Sequence, residues 1–229
     1  MIEVILDTET TGLSISEKHR IIEIGCIELE NQIPTKKIFH EYINPERQVS
    51  ADAYKVHGYS NDFLKNKKTF KEISEDFLNF IKNKKIIIHN ADFDLSFLNY
   101  ELRLINKKGL DRENIIDTLK IAREKFPGAQ NSLDALCKRY NIDNSKREKH
   151  GALIDCELLK EVYINLVDQK EPKLNLENSD ILNTKSKSKF NENVGQNSNI
   201  TSKIIQPSKQ ELESHKKYLT TSLPKNYFN

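Results

Sequence analysis

The run Ile2-Glu3-Val4-Ile5-Leu6-Asp7-Thr8-Glu9-Thr10-Thr11-Gly12 constrains this chain more than any other segment. Its apolar part, rich in Ile, Val and Leu, reads as a buried strand. Strand side chains alternate between faces, so Asp7 and Glu9 lie on one side at the strand's end. Two carboxylates held together there repel each other. A hard divalent cation such as Mg²⁺ or Mn²⁺ relieves that repulsion. A solvated turn is the plain alternative, and the pair alone does not separate the two.

Three further groups lie far downstream. Ile86-Ile87-Ile88-His89-Asn90-Ala91-Asp92-Phe93-Asp94 is a β-branched strand running into an acidic helix start. Asp94 falls in the first helical turn, where the helix dipole favours a carboxylate, so capping alone explains it. Asp92 fits the N-cap position better and leaves Asp94 free for other work. In His150-Gly151-Ala152-Leu153-Ile154-Asp155, the aspartate lies beside the buried stripe of a helix through Leu158, Leu159 and Val162. A carboxylate there is costly unless it is paired or metal-bound. His150 stands on the loop before that helix.

Asp7, Glu9, Asp94, His150 and Asp155 together supply four carboxylates and one histidine. Their order and spacing resembles the DEDD exonuclease superfamily, in the variant with histidine in the last motif: Asp-x-Glu, then a lone Asp, then His-x4-Asp. Further segments look like the epsilon subunits of bacterial DNA polymerase III, a family of proofreading 3′→5′ exonucleases. They are Arg20-Ile21-Ile22-Glu23-Ile24-Gly25, Val56-His57-Gly58, His89-Asn90-Ala91, Asn131-Ser132-Leu133-Asp134-Ala135-Leu136-Cys137 and Asp143-Asn144-Ser145-Lys146-Arg147. The resemblance covers residues 1–167 closely and part of the tail loosely.

The resemblance implies two divalent ions, Mg²⁺ or Mn²⁺, held about 3.5–4 Å apart. Asp7 would bridge them, Glu9 and Asp155 would complete one position, and Asp94 the other. His150 would take the proton of the attacking water, a task imidazole performs near neutral pH. The DNA 3′ terminus would meet Asp7, Glu9 and Asp155 together with Thr10, Asp52, His57 and Phe93. Asp52 takes a position the family often fills with Glu, contacting the terminal 3′-OH. Phe93 would stack or wedge against a base, although core packing explains an aromatic there equally well. Asp117 reads as an N-cap rather than a ligand.

The pattern of elements gives an α/β fold. Strands are expected at about 2–7, 20–30 and 37–43, joined as an antiparallel meander. A helix follows from Thr69 to Asn83, opened by the capping box Thr69-Phe70-Lys71-Glu72. Strand 86–89, helix 93–106, strand 114–116, helices 118–125 and 132–140, and a last helix 151–167 complete the set. This order implies a ribonuclease H-like mixed sheet flanked by helices, followed by a flexible C-terminal tail.

We therefore expect an exonuclease domain at 1–168, a flexible linker at 169–203 and a partner-binding segment at 204–229. The linker span is rich in Lys, Asn, Ser and Glu and cannot bury enough surface to offset its ordering entropy. In the terminal segment, Ser208 and Glu211 form a capping box, and Leu212, His215 and Leu219 share a helix face with Tyr218 beside them. Such a narrow stripe reads as a helix that docks into a partner. It looks like the epsilon segment that binds the polymerase (alpha) subunit. Residues 169–176 occupy the place where the family carries a sliding-clamp peptide.

Charge excludes one class. Of 36 basic and 34 acidic residues, 10 and 6 lie from Lys170 onward, so the catalytic part carries 26 and 28, a net −2. It lacks the basic footprint of an autonomous DNA binder. Tethering to a polymerase would offset weak intrinsic affinity. Cys26, Cys137 and Cys156 are scattered and read as buried thiols of a cytosolic protein. No signal peptide or membrane span is expected, and the location is cytoplasmic and bacterial. A free-standing RNA or oligonucleotide exonuclease and an inactive scaffold are the competing readings.

Overall fold

The computed structural model describes residues 1–145, 147, 149–167 and 208–221, the side chains of 219–221 excepted. The expected linker and clamp peptide lie outside the described residues. The chain divides into two units, Met1–Leu174 and Asn175–Asn229.

In the first unit, six strands form one sheet in the order β4-β3-β2-β1-β5-β6. They are β1 Ile2–Thr10, β2 Ile21–Glu30, β3 Ile33–Asn44, β4 Lys68–Thr69, β5 Lys85–Ile88 and β6 Ile115–Asp117. The expected meander is β1-β2-β3, antiparallel throughout. β5 then pairs parallel with β1, and β6 with β5. β1 is therefore the central strand where the antiparallel and parallel halves meet.

Helices cover both faces: α1 Ala51–His57, α2 Asn61–Leu64, α3 Phe70–Ile81, α4 Ala91–Leu104, α5 Thr118–Lys125, α6 Leu133–Arg139 and α7 Ala152–Leu166. Alternation along β1 divides the core. Val4 and Leu6 pack with Phe70, Phe77 and Leu98 on the α3–α4 face. Ile5 packs with Leu136, Leu159 and Val162 on the α5–α7 face. Each fully buried side chain of this size contributes about 1.5–3 kcal/mol.

Local signals explain most boundaries. Glu72 accepts from the Thr69 N–H at 2.7 Å, closing the expected capping box of α3. Asp117 caps α5 by accepting from Leu119 N at 3.0 Å. The expectation for α4 needs correcting. Its N-cap is Asn90, in the left-handed region at φ 67°, and Asp92 lies one residue inside the helix. Asp92 is exposed and ion-pairs with Arg112 instead of capping. α1 and α2 were not expected at all. The three cysteines are buried free thiols.

In the second unit, α8 spans Lys209–Thr221. Ser208 N donates to Glu211 at 2.8 Å and Glu211 N returns a bond to Ser208 Oγ at 3.3 Å, the expected capping box. Among the described residues, no helix is long and apolar enough to cross a membrane.

Candidate active site

The same alternation that divides the core places the acids. Asp7 and Glu9 follow Ile5 onto the α5–α7 face, while Thr8 faces α4. Thr8 receives the helix there: its N–H and hydroxyl donate to Asp94 Oδ1 at 3.1 and 2.7 Å. Asp94 is buried in the first turn of α4. Its other oxygen is left for the cleft.

Asp155 arrives from the opposite side, buried in the first turn of α7. Two features of β2 seat that helix. A Cβ on Gly25 would lie 2.6 Å from the Ala152 backbone, so only glycine lets α7 lie so close. Glu23, opposite Glu9 in the β1–β2 register, accepts from Ala152 N at 2.9 Å and from His40 Nε2 at 2.7 Å. His150, just before α7, is anchored through its own N–H to Val56 O at 3.2 Å. Ligand atoms of Glu9, His150 and Asp155 then all lie within 4.8 Å of one another.

This crowding of carboxylates has an electrostatic consequence. Burial, then Asp94, Asp155 and Glu9, push the Asp7 carboxyl well above its ordinary value. Burial, then Asp155, Glu23 and Asp94, raise Glu9 to about 8, with Arg147 opposing. Burial raises Asp94 to about 7 against the pull of the Thr8 hydrogen bonds. Hard oxygen donors that repel one another at neutral pH are the donor set a divalent cation satisfies.

The other expected contacts line two adjoining cavities. A cleft of about 750 Å³ holds Asp7, Glu9, Asp94, His150 and Asp155. A cavity of about 410 Å³ beside it is lined by Glu9, Thr10, Leu13, Asp52, His57 and Phe93. Phe93 lines both and also packs on Phe97, ring centroids 4.9 Å apart, so the packing and pocket readings both hold. His57 is buried, its Nδ1 accepting from Tyr59 N at 3.0 Å. Asp52 is exposed and pairs with Lys55 at 2.9 Å. The Thr10 hydroxyl is spent on Gly12 O at 2.7 Å, so it shapes the turn. In α8, Leu212 and Tyr218 are exposed and His215 lies between them, while the Leu219 side chain lies outside the described residues.

Three residues of the site had no expected role: Thr8, Glu23 and Arg147. Arg147 is the least foreseeable. Its Nε and Nη2 meet Asp155 Oδ1 and Oδ2 at 2.5 and 2.7 Å. Nη1 reaches Asp134 at 2.6 Å, and Nη2 also meets His150 Nδ1 at 2.8 Å. Glu23 left a trace, as an acid inside the otherwise apolar run Ile21–Ile27.

The fold is that of an exonuclease, and the family model described as Exonuclease matches residues 4–163. The chain is similar to the nuclease domain of 3'hExo, a DEDDh family member, bound to rAMP, with TM-score 0.64 and 20% identity over 72% of this chain and 91% of that one. It is also similar to Exonuclease X in complex with 5′ overhanging duplex DNA, with TM-score 0.56 and 25% identity over 72% and 90%. The DNA polymerase III subunit epsilon of Rickettsia conorii is 47% identical over 229 residues, 98% of each chain. The chain belongs to the family of DNA polymerase III epsilon subunits.

Proposed function

We propose that this chain removes mismatched 3′-terminal nucleotides from DNA as the proofreading subunit of the replicative polymerase. Asp7, Glu9, Asp94 and Asp155 would hold two Mg²⁺ or Mn²⁺ ions. The observation that carries the reading is the convergence of Glu9, His150 and Asp155 beside Asp7 and Asp94, in a cleft whose acids resist ionisation without a cation. Bound divalent ions supply Lewis-acid activation of water and neutralise charge on the phosphate.

The protein's own groups do the rest. His150 takes the proton of the attacking water. Thr8 fixes the Asp94 carboxylate, and Glu23 fixes the start of α7, so ligands from three elements keep their spacing. Phe93 divides the catalytic cleft from the adjoining cavity, where His57 and Asp52 line the place of the terminal nucleotide. Leu212, His215, Tyr218 and Leu219 of α8 dock on the polymerase (alpha) subunit. Support for this is the exposure of Leu212 and Tyr218 on a helix with its own capping box. Residues 169–176 contact the sliding clamp. The working location is the cytoplasm.

The test is a 5′-labelled primer–template with a matched or mismatched 3′ end, with Mn²⁺ or Mg²⁺, with and without the polymerase subunit. Stepwise 3′ loss, faster on the mismatch and stimulated by the polymerase, is expected. Deleting residues 168–229 should abolish the stimulation and leave basal trimming intact. Trimming that ignores mismatch and polymerase would point to a free-standing nuclease, and no cleavage at all to a scaffold.

A further inference from the structure

Arg147 sits where the acids most need a positive charge. Its guanidinium is buried, with 7% of the side chain exposed, and grips both oxygens of Asp155. Nη2 donates to Oδ2, while Nε lies against Oδ1 as a close charge contact outside hydrogen-bond geometry, and the positive charge balances the carboxylate. It also fixes the state of His150. An arginine only donates, so Nδ1 must accept from it, and the neutral imidazole then carries its proton on Nε2. In that state neither ring nitrogen has a lone pair free for a proton from water. One side chain therefore occupies a proposed metal ligand and the proposed base at once.

Arg147 has a second hold. Nη1 meets Asp134 of α6, whose side chain is 55% exposed on the wall of the same cleft. The guanidinium can leave Asp155 and keep a carboxylate partner, which lowers the cost of moving it.

We infer that Arg147 is a positioning residue that serves as the internal counter-ion of the metal-free site: it holds Asp155 and His150 until a divalent cation displaces it onto Asp134. The inference rests on the reading of Asp7, Glu9, Asp94 and Asp155 as the metal site. It makes activation a competition between two cations for one carboxylate, and it frees the base only when the metal has arrived.

Calorimetric titration of the full-length protein with Mn²⁺ tests it. Removing the competitor in Arg147→Ala should tighten Mn²⁺ binding at least about fivefold, the lower end of ordinary coupling between linked events. Arg147→Lys, which keeps the charge without the fork, should fall between. Independently, ¹⁵N spectra of the wild-type histidines should show the Nε2–H tautomer of His150 without metal and a shift of its Nδ1 on adding Mg²⁺. Equal or weaker Mn²⁺ binding by Arg147→Ala or Arg147→Lys overturns the inference, as does an Nδ1 signal unmoved by Mg²⁺. Wild-type protein that binds no Mn²⁺ at all overturns the metal reading beneath it, and so separates the two failures.

Discussion

The β1 and α7 sides of the cleft hold their carboxylates by different means. On the β1 side, Asp7 and Glu9 stand on a central strand, and Asp94 is fixed by two neutral donors from Thr8. No cation touches these three among the described residues. On the α7 side, Asp155 is held by a full positive charge from Arg147, and His150 shares it. One side keeps its geometry through backbone and hydrogen bonds and stays electrostatically unsatisfied. The other is satisfied, but by a partner that a metal must replace. Pre-organisation and charge balance are thus divided between the two.

Removing one acid from each side should expose the contrast most sharply. Asp7→Ala and Asp155→Ala should each lower exonuclease rate by about 10³-fold or more, since charge neutralisation and ligand geometry fail together. Their effects on folding should diverge. Asp7→Ala removes a carboxylate that others repel, so the metal-free protein should melt at the same or a higher temperature. Asp155→Ala leaves Arg147 buried with Asp134 as its one remaining carboxylate partner among the described residues, a loss of up to about 3 kcal/mol. Primer degradation and thermal melts by circular dichroism measure both. Equal melting changes would break the comparison.

A smaller effect probes the neutral fixing of Asp94. Thr8→Val keeps shape and backbone N–H and deletes only the 2.7 Å hydroxyl bond. Losing an outer-shell partner of this kind typically costs 10–100-fold in metal affinity or activity. We expect about a tenfold loss of rate that rising Mn²⁺ partly restores. A rate unchanged at every Mn²⁺ concentration would show that Asp94 is held by its helix alone.

The sequence revealed the β1 side more fully than the α7 side, for a physical reason. A β-branched run ending in Asp-x-Glu has a period of two, so the shared face of Asp7 and Glu9 follows directly. The long, strongly patterned elements β1, β2, α3 and α7 were legible in the same way. α1 was not, because its seven residues bury only His57 and carry no stripe. Asp92 was expected as the cap because it stands at the acidic helix start beside Asp94, whereas the cap is Asn90, which works through its left-handed backbone. Arg147 was invisible as a site residue. Its partners are Asp134 on α6 and the downstream pair His150 and Asp155, and nothing in the polar run Asp143–Lys149 marks its arginine as a buried guanidinium that folds back onto both.

The β1 side also predicts how stability responds to pH. Glu9 and Asp94 are raised to about 8 and about 7 in the folded protein. An unfolded chain would ionise them near the ordinary values of about 4.3 and 3.9. Between these limits the folded state binds more protons than the unfolded one, so stability falls as pH rises. The full contribution is present below about pH 4 and is lost as pH climbs through 7 and 8. The metal-free protein should therefore melt at a lower temperature at pH 8.5 than at pH 6. Mn²⁺ binds the ionised acids and releases their protons, so it should flatten or reverse the slope. A metal-free melting temperature that rises from pH 6 to 8.5 would mean the β1 acids are ionised without a cation, and the asymmetry between the two sides would disappear.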